Sequence, residues 1–322
     1  MDMKKIDVLV AALPLEEEHI ERLKRLLPDT EIILSQFLQG DEADVQRADV
    51  IFGNVKPEHI KGSTKLKWVH LCSSGADNYV SYMPDNAVLT NSTGVYGPAI
   101  GEFMLAMVMA VQKKIHLYAE NQTNCMWRRM GDVKTFDDST CLVLGLGDLG
   151  GNFAKKVKAL GSYVIGVRRV NTEKPEYVDE LHLASSFREL LPRADIVALA
   201  LPNTPETTEI INADTISLMK PGAILLNVGR GKAVNQEALI EALESGHLAG
   251  AALDVMVPEP LPADNPLWKA KNLLITPHVS GRWTLPSIME RTLDLFERNL
   301  RAYENGQELE NTVDYETGYR KS

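Results

Sequence analysis

Cysteine is scarce in this chain. Three residues in 322, Cys72, Cys125 and Cys141, form no C-x-x-C pair, which leaves no disulfide framework and no metal site to expect and suits a reducing cytoplasm. A basic surplus is lacking too: Lys and Arg total 34 against 44 for Asp and Glu, a formal net charge of −10. That sign argues against general affinity for nucleic acid or an anionic membrane. Long hydrophobic runs are also missing. The longest, residues 103–111, is too short for a bilayer. At the start, Asp2, Lys4, Lys5 and Asp7 precede the short run 8–13 without the h-region and cleavage site of an export signal. No repeat, low-complexity tract or Gly/Ser linker is visible. A soluble, unexported chain is expected, 44% hydrophobic and long enough for two domains.

What is present centres on Gly145, Gly147 and Gly150, spaced G-x-G-x-x-G, with Asp148 and Leu149 between the last two. Residues 141–144 before them form an apolar run of strand length. Residues after Gly150 follow helical spacing through Ala154, Val157 and Leu160 and stop at Gly161. Strand, tight turn and helix in this order place backbone N–H groups and a helix N-terminus where a pyrophosphate can sit. The spacing alone also fits a βα turn in some other α/β domain, so the context has to decide.

Before this motif, strand-like pieces at 8–11, 31–34, 50–52, 68–71 and 88–90 alternate with helical or polar segments such as 16–27 and 42–48, which predicts a small parallel-sheet domain. Two of its loops, 73–77 with Ser74 and Gly75 and 91–97, follow strands, where open parallel sheets bind ligands; plain turns would read the same. Pro98 opens an apolar helix expected to run to about Tyr118, buried in a core or against another subunit. Residues 121–133, with Trp127, have no clear period. From Cys141 on, strands at 163–167, 196–201, 223–227, 250–253 and 273–275 alternate with helices at 186–191, 215–219 and 236–245, and an amphipathic helix spans 286–304. The fold expected is α/β with two doubly wound parallel-sheet domains and a cleft between them. The first, flavodoxin-like, comprises 1–97 plus 286–322 and takes substrate; the second, a Rossmann dinucleotide domain, comprises 98–285.

In a dinucleotide fold an acid at the end of the second strand binds the adenosine ribose. Here that strand ends in Arg168 and Arg169. Two guanidinium forks suit a phosphate, which favours NADP(H) over NAD(H), although arginines at a strand end can also be merely solvated. Three further residues lie just past strands of the second half: Arg230, Glu259 between two prolines, and His278. Reducing a 2-keto acid needs a cation to hold the carboxylate and polarise the carbonyl, and an acid to protonate the oxygen as hydride arrives. Arginine and histidine meet these needs, and a carboxylate bonded to the imidazole fixes its orientation. Each also has a bland reading as loop end, strand cap or surface residue.

Taken in order, the glycine motif, the run Leu201, Pro202, Asn203, Thr204, Pro205, Glu206 and Thr207, the segment from Met219 to Ala223 leading to Arg230 and Gly231, the pairing of Ala252 to Val255 with Pro258, Glu259 and Pro260, and the triplet Thr276, Pro277 and His278 resemble the D-isomer-specific 2-hydroxyacid dehydrogenases over nearly the whole chain. The resemblance implies a substrate-binding Arg230, a Glu259 paired to His278, and His278 as general acid/base. It further implies an Asp254 that contacts the nicotinamide carboxamide, Pro202 and Thr207 near the cofactor, and a substrate carboxylate bound at Ser74 and Gly75. A homodimer formed through the nucleotide domain is implied as well. Many members carry Asp where Arg168 stands, so the likeness points to the NADPH-using glyoxylate/hydroxypyruvate reductases, with NAD(H) use still open. Phosphoglycerate and lactate dehydrogenase types remain alternatives, as does a nucleotide-sensing scaffold like the C-terminal binding proteins. Trp127 and Arg282 with Trp283 are candidate pocket walls.

Overall fold

The computed structural model describes residues 5–170, 173–281 and 285–315, and the backbone of 319–320. It divides into two units, Met1–Tyr96 with Arg282–Ser322, and Gly97–Gly281. The first unit is built on five parallel strands, β1 (Val8–Ala12), β2 (Glu31–Ser35), β3 (Val50–Gly53), β4 (Trp68–His70) and β5 (Val88–Thr90), in the order β2-β1-β3-β4-β5. Alternation sends Leu9 and Ala11 of β1 to one face and Val10 and Ala12 to the other, and both faces are buried. On the first face lie α1 (Glu17–Leu26), through Leu23, and the long helix Pro286–Glu304, through Leu293, Phe296 and Leu300. Phe296 stacks on Phe52 at 4.0 Å and on Trp68 at 5.1 Å between ring centroids, so the last helix closes this core with aromatic area. The short α2 (Glu42–Arg47) covers the opposite face through Val45.

The second unit begins with α3 (Gly97–Gln112) and α4 (Ile115–Thr123). Seven parallel strands follow: β6 (Thr140–Leu144), β7 (Tyr163–Arg168), β8 (Glu180–Leu183), β9 (Ile196–Leu199), β10 (Ala223–Asn227), β11 (Leu248–Leu253) and β12 (Leu273–Ile275). Their order is β12-β11-β10-β9-β6-β7-β8, so the direction of winding reverses between β6 and β9, the crevice where such sheets bind ligands. The helices between them are α5 (Asp148–Ala159), α6 (Phe187–Leu190), α7 (Ala213–Leu218) and α8 (Gln236–Glu244).

Three expectations are corrected. The helix from Pro98 to Tyr118 is two helices, because Lys114 takes φ +59°. Its ammonium and that of Lys113 each bond a carbonyl of the following arm, at Met130 and Lys134; apolar spacing does not report such a break. α3 packs on α5 and on β10, β11 and β12 of its own unit, so its apolar surface is at least partly core. The helix at 186–191 shrinks to the four residues of α6 between 3-10 turns, with Pro192 in the second of them. Strand β8, absent from the sequence reading, exists through its pairing with β7.

Candidate active site

The turn after β6 is shaped by its glycines. Gly145 has φ +93°, and a Cβ there would lie 2.5 Å from the Ala200 carbonyl oxygen; one on Gly150 would lie 2.2 Å from the Gly145 carbonyl oxygen. Only glycine keeps the α5 N-terminus this close to β6 and β9. The bond from Gly151 N–H to the Gly147 carbonyl (2.8 Å) starts the helix, and the N–H groups before it open on the reversal point of the sheet, a cradle that fits a pyrophosphate. Asp148 turns its carboxylate aside, accepting the Gly97 N–H at 2.9 Å.

Arg168 ends β7 half-buried, and its Nε donates to the Leu146 carbonyl at 3.0 Å, which pins the guanidinium over the glycine turn. Arg169 is exposed. The β9 loop approaches from the other side: its Glu206 carboxyl sits below its ordinary range, held there by its own backbone N–H, by the Thr204 hydroxyl and by the Arg169 guanidinium. Thr207 knits that loop, donating to the Pro202 carbonyl at 2.7 Å and accepting the Thr204 N–H at 2.9 Å.

The three chemistry-bearing side chains come from the ends of adjacent strands. Arg230 follows β10, in a turn held by buried Asn227, whose Oδ1 accepts the Gly229 N–H (3.0 Å) and whose Nδ2 donates to the Arg230 carbonyl (2.9 Å). Arg230 itself donates to the Gly229 carbonyl at 2.9 Å. Glu259 follows β11, its Oε1 accepting the Met256 N–H at 2.9 Å. His278 follows β12 and places Nδ1 2.7 Å from Glu259 Oε2. A carboxylate oxygen accepts, so Nδ1 carries the proton toward Glu259 and Nε2 takes no part in this bond. The imidazole is 54% exposed and the Glu259 side chain 35%, so the pair faces outward, open to a reactant. His278 has φ +51°, a strained backbone of the kind that functional sites retain. The Arg230 turn touches the Glu259 loop through Gly231, where a Cβ would lie 2.2 Å from the Met256 carbonyl oxygen.

Asp254 is fully buried, and its carboxylate accepts from the Thr276 hydroxyl (2.6 Å) and from the N–H groups of Val279 (2.9 Å) and Ser280 (3.0 Å). Its contacts are with the histidine loop. Asn227 and this anchoring function of Asp254 escaped the sequence reading; only their place at the ends of buried strands hinted at them. Ser74 and Gly75 lie in the first unit, in a loop tied down by Asn91 Nδ2 on the Ser74 carbonyl (2.8 Å) and by Ser73 Oγ on the Gly75 carbonyl (2.9 Å). Among the described residues, the N–H groups of Ser74 and Gly75 have no acceptor. Trp127 projects fully into solvent. Arg282 and Trp283 lie outside the described residues.

The model of the D-isomer specific 2-hydroxyacid dehydrogenase NAD binding domain matches residues 105–280. Glyoxylate/hydroxypyruvate reductase A of Serratia proteamaculans is 31% identical over 317 residues, 94% of this chain and 96% of that protein. Among solved structures, a D-isomer specific 2-hydroxyacid dehydrogenase family protein of Aeromonas salmonicida superposes with TM-score 0.84 at 31% identity, covering 96% of this chain and 99% of that one. The NADPH-dependent glyoxylate/hydroxypyruvate reductase of Sinorhizobium meliloti, solved with NADP and sulfate, gives TM-score 0.81 at 26% identity, covering 97% and 100%.

Proposed function

The chain belongs to the D-isomer specific 2-hydroxyacid dehydrogenases, and from that premise we propose that it reduces a small 2-keto acid, of the glyoxylate or hydroxypyruvate kind, to the D-2-hydroxy acid with NADPH preferred over NADH. The observation that carries the chemistry is the 2.7 Å contact between His278 Nδ1 and Glu259 Oε2 beside the Arg230 turn. Arg230 holds the substrate carboxylate and polarises the keto oxygen. His278 gives its Nε2 proton to that oxygen, while Glu259 keeps the ring oriented through Nδ1. When bound, the reduced nicotinamide supplies the hydride that the carbonyl carbon accepts. The glycine cradle, Pro202 and Thr207 would hold the cofactor, and Arg168 and Arg169 its 2′-phosphate; Asp254, fully buried and bonded to the histidine loop, braces that loop and does not reach the cofactor. In the first unit, the N–H groups of Ser74 and Gly75, without an acceptor among the described residues, suit a carboxylate. The proposal includes a cytoplasmic homodimer. Among the described residues no helix is long and apolar enough to cross a membrane.

The deciding experiment is a panel of 2-keto acids, glyoxylate and hydroxypyruvate among them, assayed with NADPH and with NADH. Turnover of a short member with NADPH is expected. Failure of every member with both cofactors refutes the proposal.

A further inference from the structure

We propose that Gln236, the first residue of α8, is a positioning residue for the Glu259–His278 pair, a role that rests on the reductase reading above. Its side-chain amide grips the Val257 peptide on both sides: Oε1 accepts the Val257 N–H at 2.9 Å, and Nε2 donates to the Val257 carbonyl at 2.6 Å. Among the described residues no strand pairs with the segment after β11 to satisfy these groups, and the amide takes that place. The next peptide back supplies the Met256 N–H that bonds Glu259 Oε1 at 2.9 Å, and Glu259 Oε2 reaches His278 Nδ1. Gln236 therefore sets the peptide beside the one that aims the carboxylate at the imidazole. Its own base is firm. Asn235 caps α8 through the Ala238 N–H (3.0 Å) and donates its own N–H to the Ile211 carbonyl (2.8 Å), and Leu239, Ala242 and Leu243 of the helix are buried. The two bonds to Val257 are exposed, so they add little to global stability, and their effect falls on the loop.

The test pairs Gln236→Met, which removes both bonds at similar length, with Gln236→Glu, which keeps the acceptor for the Val257 N–H and loses the donor. In Gln236→Met, kcat with NADPH and the best 2-keto acid should fall about three- to tenfold, the worth of one or two exposed hydrogen bonds, with KM for NADPH and the melting temperature unchanged. Gln236→Glu should fall between that variant and wild type. Placed on Glu259→Gln, the methionine change should cost nothing further, because the group it aims has lost its charge. An equal loss in both backgrounds, an unchanged kcat, or a melting temperature that drops in step with activity overturns the proposal. If the wild-type enzyme reduces no 2-keto acid, the reductase reading fails by itself, and the clamp is then read by NMR of 15N-histidine-labelled protein. The Nδ1–H proton of His278, shifted downfield by Glu259, should broaden or vanish in Gln236→Met; an unchanged resonance refutes the clamp.

Discussion

Replacing Arg168 with aspartate should convert a preference for NADPH into one for NADH. The wild-type guanidinium ends β7 with Nε fixed on the Leu146 carbonyl at 3.0 Å, which leaves it above the glycine turn, on the side where the adenosine ribose of a bound dinucleotide lies. A hydrogen bond to a charged group is worth about 1.5–3 kcal/mol, so losing one to the 2′-phosphate weakens NADPH by about ten- to a hundredfold. The new carboxylate can accept from the ribose hydroxyls of NADH, a gain of about 1 kcal/mol or roughly fivefold. Arg169 is exposed and more heavily screened, and it keeps a smaller part of the phosphate affinity. The ratio of kcat/KM for NADPH to that for NADH should therefore swing by about two to three orders of magnitude. The assay is the initial rate of absorbance loss at saturating 2-keto acid with each cofactor, supported by dissociation constants from fluorescence quenching. In wild type, raising the salt should weaken NADPH more than NADH, and the aspartate variant should lose that difference. A ratio that moves less than threefold, or a wild type that uses NADH as well as NADPH, refutes the reasoning.

His278→Ala should lower kcat by about two to four orders of magnitude, the usual worth of a positioned proton donor, while NADPH binding measured by fluorescence stays within a few-fold of wild type. Loss of binding equal to the loss of rate would show that the residue holds cofactor and does not act on the proton. Asp195 gives a pH prediction. Its burial would raise the carboxyl, but the ammonium groups of Lys134 and Lys220, each at 2.7 Å, and the Thr140 N–H outweigh that and leave it below its ordinary value of 3.8. A depressed folded value stabilises the protein above the unfolded pKa and is lost as pH falls through the folded one. Asp195→Asn should therefore be about 1–3 kcal/mol less stable in urea at pH 7, the half-exposed lysines limiting the loss, and should lose less than wild type on going to pH 3. Parallel acid limbs in the two proteins would refute this role.

Much of the fold was legible because buried parallel strands announce themselves as apolar runs closed by glycine or polar residues. Val50, Ile51 and Phe52, or the five buried residues of β10, have that form. Elements that depend on partners did not show. Strand β8 is half exposed and is a strand because β7 lies beside it. The break at Lys114 depends on ammonium groups reaching carbonyls 16 and 21 residues further along, a distance that helical periodicity never samples.

The site divides along the same line. The residues proposed to meet the substrate sit at strand ends and are of a type fitted to charge or proton transfer, so Arg230, Glu259 and His278 could be picked out one at a time, and the family resemblance of their order along the chain supplied the rest. The residues that aim them could not be found that way. Asn227, Asp254 and Gln236 bond to backbone groups at sequence separations of 2 and 3, 25 and 26, and 21. A side chain that satisfies a peptide carries no mark of its own, since any amide or carboxylate of the right reach can do it. It follows that two chains with identical catalytic side chains can differ in rate through their clamps alone, and that exchanging a clamp residue between such chains should move kcat without moving cofactor affinity.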